Sequence, residues 1–128
     1  MKQIILFTLF AITYSVYAQQ RIAEKDLIGN WVVTGGKGED FDKETIGDVF
    51  SFKKEHTVSK IEKQSKEIMF ADWKIDNGFI TFTTYEDDVK KTDPEIEVLS
   101  VTSFDGKKLV LYYIDDEFSI TFERTSQP

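Results

Sequence analysis

The sequence predicts an all-β fold: an eight-stranded antiparallel up-and-down barrel with a short N-terminal helical turn. Three observations predict it. Apolar and polar residues alternate with period two in short runs bounded by turn signals, as half-buried strands require. Helical periodicity is nearly absent, and only Ile22 to Ile28 has room for a turn or two. Links after the second run are short, so consecutive strands pair as neighbours. A β-sandwich, the competing architecture, needs Greek-key crossings longer than most of these links.

The N-terminus comes first. Lys2 supplies a basic start, Ile4 to Val16 is an almost uninterrupted apolar run, and Val16-Tyr17-Ala18 has the form of a signal-peptidase site. The run is too short for a spanning helix, which needs about 20 residues. Residues 1–18 are therefore expected to be a signal peptide, and 19–128 one barrel domain that is exported to the periplasm or secreted. No cysteine stands at the cleavage site to carry a lipid anchor. With no second apolar run, the mature chain is expected not to be integral to the membrane.

The first strand is expected near Gly29 to Thr34, the second near Gly47 to Lys53, and Lys54-Glu55 turns tightly into the third, Thr57 to Glu62. The fourth is Glu67 to Ile75. Asp76-Asn77-Gly78 makes a hairpin into the fifth, Phe79 to Tyr85, because Asn and Gly accept the positive φ such turns need. A charged loop, Glu86 to Pro94, leads to the sixth, Glu95 to Phe104. Asp105-Gly106 turns that into the seventh, Lys108 to Ile114, and Asp115-Asp116 leads into the eighth, Glu117 to Arg124.

Alternation assigns the faces. Phe118, Ile120 and Phe122 share one side of the last strand; Phe50 and Phe52 share one side of the second; Met69, Ala71, Trp73 and Ile75 share one side of the fourth. The fifth and seventh strands are apolar on both faces, which leaves their inward sets open and makes an outer partner surface a second option.

Composition narrows the function. Sixteen basic against 23 acidic residues, net -7, with no basic stripe, argue against nucleic acid and anionic membranes as partners. The absence of cysteine removes thiol and zinc-ribbon chemistry and leaves the fold to stand on packing alone. An aromatic content of 14%, with eleven Phe, supplies a real core.

A short turn leads into Gly29-Asn30-Trp31, and Arg124 falls late in the last strand. In these residues the chain resembles the lipocalins and related calycins, which carry a Gly-x-Trp pattern on the first strand and place an Arg of the last strand over the motif Trp. Trp73-Lys74-Ile75-Asp76-Asn77-Gly78 and Leu109-Val110-Leu111 are similar to parts of the compact bacterial lipocalin-like domains. The second lipocalin motif, Thr-Asp-Tyr, is absent; Thr102-Ser103-Phe104-Asp105-Gly106 stands nearest to it. The resemblance implies a barrel that binds small apolar molecules, with Gly29, Trp31 and Arg124 as a structural signature. From its parity, Arg124 is expected to point inward at the closed end.

No residue set reads as catalytic, and the protein is expected not to be an enzyme. His56, the only histidine, falls in a hairpin turn, a poor place for a nucleophile's base or a metal ligand. Gly35-Gly36-Lys37-Gly38 lacks the spacing of a phosphate loop and reads as a flexible connection over the barrel mouth. The acidic runs Glu39-Asp40-Asp42 and Glu86-Asp87-Asp88-Asp93-Glu95 lack the form of a calcium loop and read as solvated charge. No strand is read as presenting two acids on its inner face, as paired-carboxylate hydrolysis requires. No cofactor or metal is implied.

The leading expectation is a small hydrophobic ligand held inside the barrel. Its expected contacts are Phe50, Phe52, Met69, Trp73, Phe82, Tyr113 and Phe118, with Ile80, Leu111 and Ile120 also inward and Tyr113 or Thr84 as a polar anchor. The alternative is a filled barrel acting as a protein-interaction or inhibitor module, since eight-stranded barrels lie at the boundary between filled and hollow.

Overall fold

The structure is a computed structural model that describes residues 22–87 and 89–126. The expected signal peptide lies outside the described residues. One helical turn, α1 (Glu24–Leu27), precedes eight strands: β1 (Gly29–Lys37), β2 (Val49–Phe52), β3 (Thr57–Ile61), β4 (Ile68–Asp76), β5 (Phe79–Asp87), β6 (Thr92–Phe104), β7 (Lys108–Tyr113) and β8 (Phe118–Thr125). A 3₁₀ turn, Lys43–Thr45, sits between β1 and β2. Each strand pairs antiparallel with the next, and β8 pairs back to β1, closing the barrel in the up-and-down order expected from the short links.

The hairpin turns are made by the residues that favour them. Asn77 and Gly78 both adopt positive φ, +51° and +81°, in the turn between β4 and β5. Asp105 accepts hydrogen bonds from the backbone N–H of Lys107 and Lys108 (2.9 and 2.7 Å), holding the β6–β7 turn and drawing its own carboxyl below the usual range.

Two stretches expected as loops are strand. Glu86 to Pro94 is not an open loop: β5 and β6 run on, pairing Tyr85 with Pro94 and Asp87 with Thr92. The Asp87 carboxylate accepts from Val89 N and Lys90 N, both at 3.0 Å, so a side chain expected to be merely solvated closes this hairpin. Gly35, Gly36 and Lys37 likewise belong to β1, opposite Thr121, Ile120 and Ser119 of β8, after a bulge between Val33 and Gly35. They are not a flexible flap. Gly36 is required where it stands, because a Cβ there would lie 2.4 Å from the Phe41 ring and 2.5 Å from the Ser119 carbonyl.

The barrel has a closed end and a mouth. α1 covers the closed end: Leu27 is fully buried, and its carbonyl accepts the Trp31 indole N–H at 2.9 Å. Behind it pack Trp31, Phe52, Trp73, Leu109 and Phe122, all nearly inaccessible. Phe52 meets Trp73 edge-on at 5.2 Å, and Phe50 meets Phe122 edge-on at 5.1 Å. Each such geometry adds about 0.5–1.5 kcal/mol beyond area burial. Trp73 also donates its indole N–H to the Lys53 carbonyl at 3.1 Å, so neither tryptophan carries an orphaned polar atom.

Arg124 seals this end from outside. Its guanidinium stacks on Trp31 and donates to the carbonyls of Asp26, Ile28 and Gly106. Parity in β8 sets it on the inner face opposite Trp31, as expected, at the very end of the barrel. It remains exposed, because a charged group loses less hydration by capping the core than by entering it. Among the described residues no helix is long and apolar enough to cross a membrane.

Candidate ligand-binding cavity

Toward the mouth the side chains no longer fill the barrel. A cavity of about 440 Å³ opens there. Its floor is Phe50 from β2, Val58 from β3, Phe82 from β5 and Tyr113 from β7, all inward by strand parity and all nearly buried. Phe50 and Phe82 face each other with ring centres 6.5 Å apart. A second hollow of about 230 Å³ shares Phe50, Lys60, Glu97 and Tyr113 with the first and extends under Phe41, Phe118 and Ile120. Tyr113 and Phe118 stack at 4.5 Å, almost parallel.

The β1–β2 connection does overhang the mouth, as expected, but it is built rather than loose. Asp42 accepts from Glu44 N at 2.9 Å to cap the 3₁₀ turn, and the ring of Phe41 lies on Gly36. Below it, buried Asp48 accepts from Lys63 N at 3.0 Å and faces the Lys60 ammonium at 3.9 Å.

The rim is acidic. Glu95 and Glu97 on β6 have the same parity as Leu99 and Val101, whose side chains are wholly buried, so both acids face inward. This corrects the expectation that no strand turns two acids to the inside. Asp115 and Asp116 reach over the same opening from the β7–β8 turn. Glu97 is half-buried beside Asp116. Burial first, then the charges of Asp116, Glu95 and Asp115, push its carboxyl above the usual range. Burial and the neighbouring Glu97 and Asp116 also raise the Tyr113 phenol, which stays protonated. Among the described residues no group of three or more His, Cys, Asp or Glu is placed to hold a metal ion.

The expected contact residues divide by height in the barrel. Phe50, Phe82, Tyr113 and Thr84 line the main cavity, and Phe118 lines the second hollow. Phe52 and Trp73 are inward too, but they are packed into the closed end and do not line either cavity. Met69 lines the cavity only at its rim and is 53% exposed. His56 lies at the closed end, as surface, with φ +68°; it contacts Glu24 of α1 and packs 5.6 Å from Trp73. Sequence reading missed Glu95, Glu97, Lys60 and Phe41 as mouth residues. Carrying the parity of Leu99 and Val101 back along β6 is the signal that finds the two acids.

No protein-family model matches the chain, and a search of curated proteins finds no match.

Proposed function

We propose that the protein is a lipocalin-like binding barrel, exported by way of residues 1–18, that takes a small largely apolar molecule into the cavity at its mouth and catalyses no reaction. The observation that carries this reading is the cavity itself: about 440 Å³, floored by Phe50, Val58, Phe82 and Tyr113. Ligand sites commonly span roughly 300–1,000 Å³ with mostly apolar walls and a few polar groups. The likeness to lipocalin-like domains rests on Gly29, Trp31 and Arg124, which meet at the closed end. The lone histidine stands at that end, away from the cavity, and the mouth offers carboxylates and a phenol without an activated nucleophile.

Titration of the mature protein with the neutral dye Nile red tests the reading. Saturable binding is expected, and it is expected to be lost in Thr84→Trp, which puts an indole at the cavity wall without touching the buried core. Binding that is not saturable, or that Thr84→Trp leaves unchanged, overturns the reading.

A second reading, a protein-interaction module, is favoured by Ile68, Phe70 and Ile96, which stand 53%, 59% and 59% exposed on β4 and β6, with Phe70 and Ile96 also bordering the cavity. Under that reading Phe70→Ser abolishes partner binding while Thr84→Trp leaves it intact.

A further inference from the structure

The cavity is two-faced: an aromatic floor lies under a rim of carboxylates. Glu95 and Glu97 enter from β6, and Asp115 and Asp116 from the β7–β8 turn. Asp40 and Asp42 border the adjoining hollow. One lysine, Lys60 on β3, lines both spaces, and its ammonium is turned toward the buried Asp48 carboxylate. The opening is therefore strongly negative, with a counter-charge already engaged elsewhere. Two acids aimed inward above an apolar floor oppose folding unless something at the site repays them.

Tyr113 is a second, independent observation at the same place. The residue is only 7% exposed and lines both spaces. Its hydroxyl has no hydrogen-bond partner among the described residues, although no fully buried polar atom is left unsatisfied. The hydroxyl thus keeps its open side on the cavity, beside Glu97 and Asp116. A phenol there accepts from an N–H donor as readily as it donates to a carboxylate. Carboxylates as acceptors and a phenol oxygen, with aromatic faces below, suit an ammonium group on an apolar body.

Resting on the binding reading above, we infer that the ligand is an organic amine in its cationic form. Its ammonium lies between Glu97, Asp116 and the Tyr113 hydroxyl, and its apolar body lies against Phe50 and Phe82. The donors do not converge as a metal site does, which directs the charge complementarity to an organic cation. The cation replaces the proton that Glu97 holds against Asp116, so binding releases a proton to solvent where Glu97 is still protonated. Lowering the pH reprotonates Glu97 and weakens the amine. The other charges facing Glu97 are Glu95, Asp115 and Asp116, with Lys60 across the cavity and Asp40 and Asp42 beside the hollow. All but Lys60 are acidic, and they act in the same direction.

Calorimetric titration with three matched probes, 2-phenylethylamine, 2-phenylethanol and 3-phenylpropionate, separates this inference from the reading beneath it. At neutral pH the amine is expected to bind roughly tenfold or more tightly than the alcohol, as a charge-assisted hydrogen bond warrants, and the carboxylate least. In Glu97→Gln and in Tyr113→Phe the amine's advantage is expected to shrink while the alcohol's affinity holds. Acidification is expected to weaken the amine alone, with proton release visible in buffers of different ionisation enthalpy. Equal binding of amine and alcohol, or an advantage unchanged in Glu97→Gln, overturns the cation inference and leaves the cavity reading standing. Failure of all three probes in a protein that also fails to bind Nile red overturns both.

Discussion

The guanidinium carbon of Arg124 lies 4.2 Å from the centre of the Trp31 ring, and the two residues face each other across the β1–β8 seam that closes the barrel. One side chain thereby ties the last strand to the first strand, to α1 and to the β6–β7 turn, through the carbonyls of Ile28, Asp26 and Gly106. Trp31 fills the space beneath, wholly buried, with the Phe104 ring edge-on at 6.3 Å.

Trp31→Ala removes this filling and leaves the Leu27 carbonyl without its donor. A loss of about 3–5 kcal/mol is expected, the usual range for deleting a large buried aromatic. Urea denaturation measures it. A midpoint that barely moves would show that the seam does not depend on the indole.

Arg124→Lys tests the cap separately from its charge. An ammonium does not present three carbonyl contacts and a planar stacking face together, so a loss of about 1–2 kcal/mol is expected despite the conserved charge. Gly29→Ala is expected to act on the same seam. Gly29 has φ +130°, and a Cβ there would stand 2.8 Å from Arg124 Nη1. The two substitutions should be markedly non-additive in a double-mutant cycle, since both displace one guanidinium. Additive losses would uncouple Gly29 from the cap.

Gly36→Ala reports on the mouth. The new methyl meets the Phe41 ring and the Ser119 carbonyl, so β1 must separate from β8 or Phe41 must leave. A destabilisation of about 1–3 kcal/mol is expected, as for overpacking generally. Phe41→Ala in the same chain relieves only part of it, because the carbonyl contact persists. Full rescue by Phe41→Ala, read from thermal melts, would mean that the ring alone fixes this position.

The barrel was legible because its signals are local. Phe118, Ile120 and Phe122 alternate cleanly, and Asn77-Gly78 can hardly do anything but turn. Which contacts line the cavity was only half legible. Alternation tells the side of a strand on which Trp73 and Met69 lie, but not their height: one ends in the closed core and the other at the rim. Gly36 reads as loop because glycine weakens a strand, whereas here the missing Cβ is what admits Phe41. Glu95 reads as solvated charge, and Glu97 is passed over, because acids rarely occupy inner positions. Strand parity from Leu99 and Val101 gives their side, but only closure of the sheet brings them under Asp115 and Asp116, which are distant along the chain.

Glu97 should reveal its strain in the pH dependence of stability. Its carboxyl is raised in the folded protein, first by burial and then by the Asp116, Glu95 and Asp115 charges, so the folded state holds this proton more tightly than the unfolded chain does. Above both titration points the side chain is charged and destabilises the fold. That penalty is relieved as pH falls through the raised folded value, and relief is complete once the ordinary carboxylate value of the unfolded chain is passed. Glu97→Gln keeps the shape while removing the charge. The variant is therefore expected to be more stable than the parent at neutral pH, and the gap is expected to close on acidification through the range just above the usual carboxylate value. Urea midpoints measured across that range decide it. A variant less stable than the parent at neutral pH, with a gap that persists in acid, would make Glu97 a structural acceptor. The parent's lower stability at neutral pH would instead fit an acid held at the mouth for what it binds.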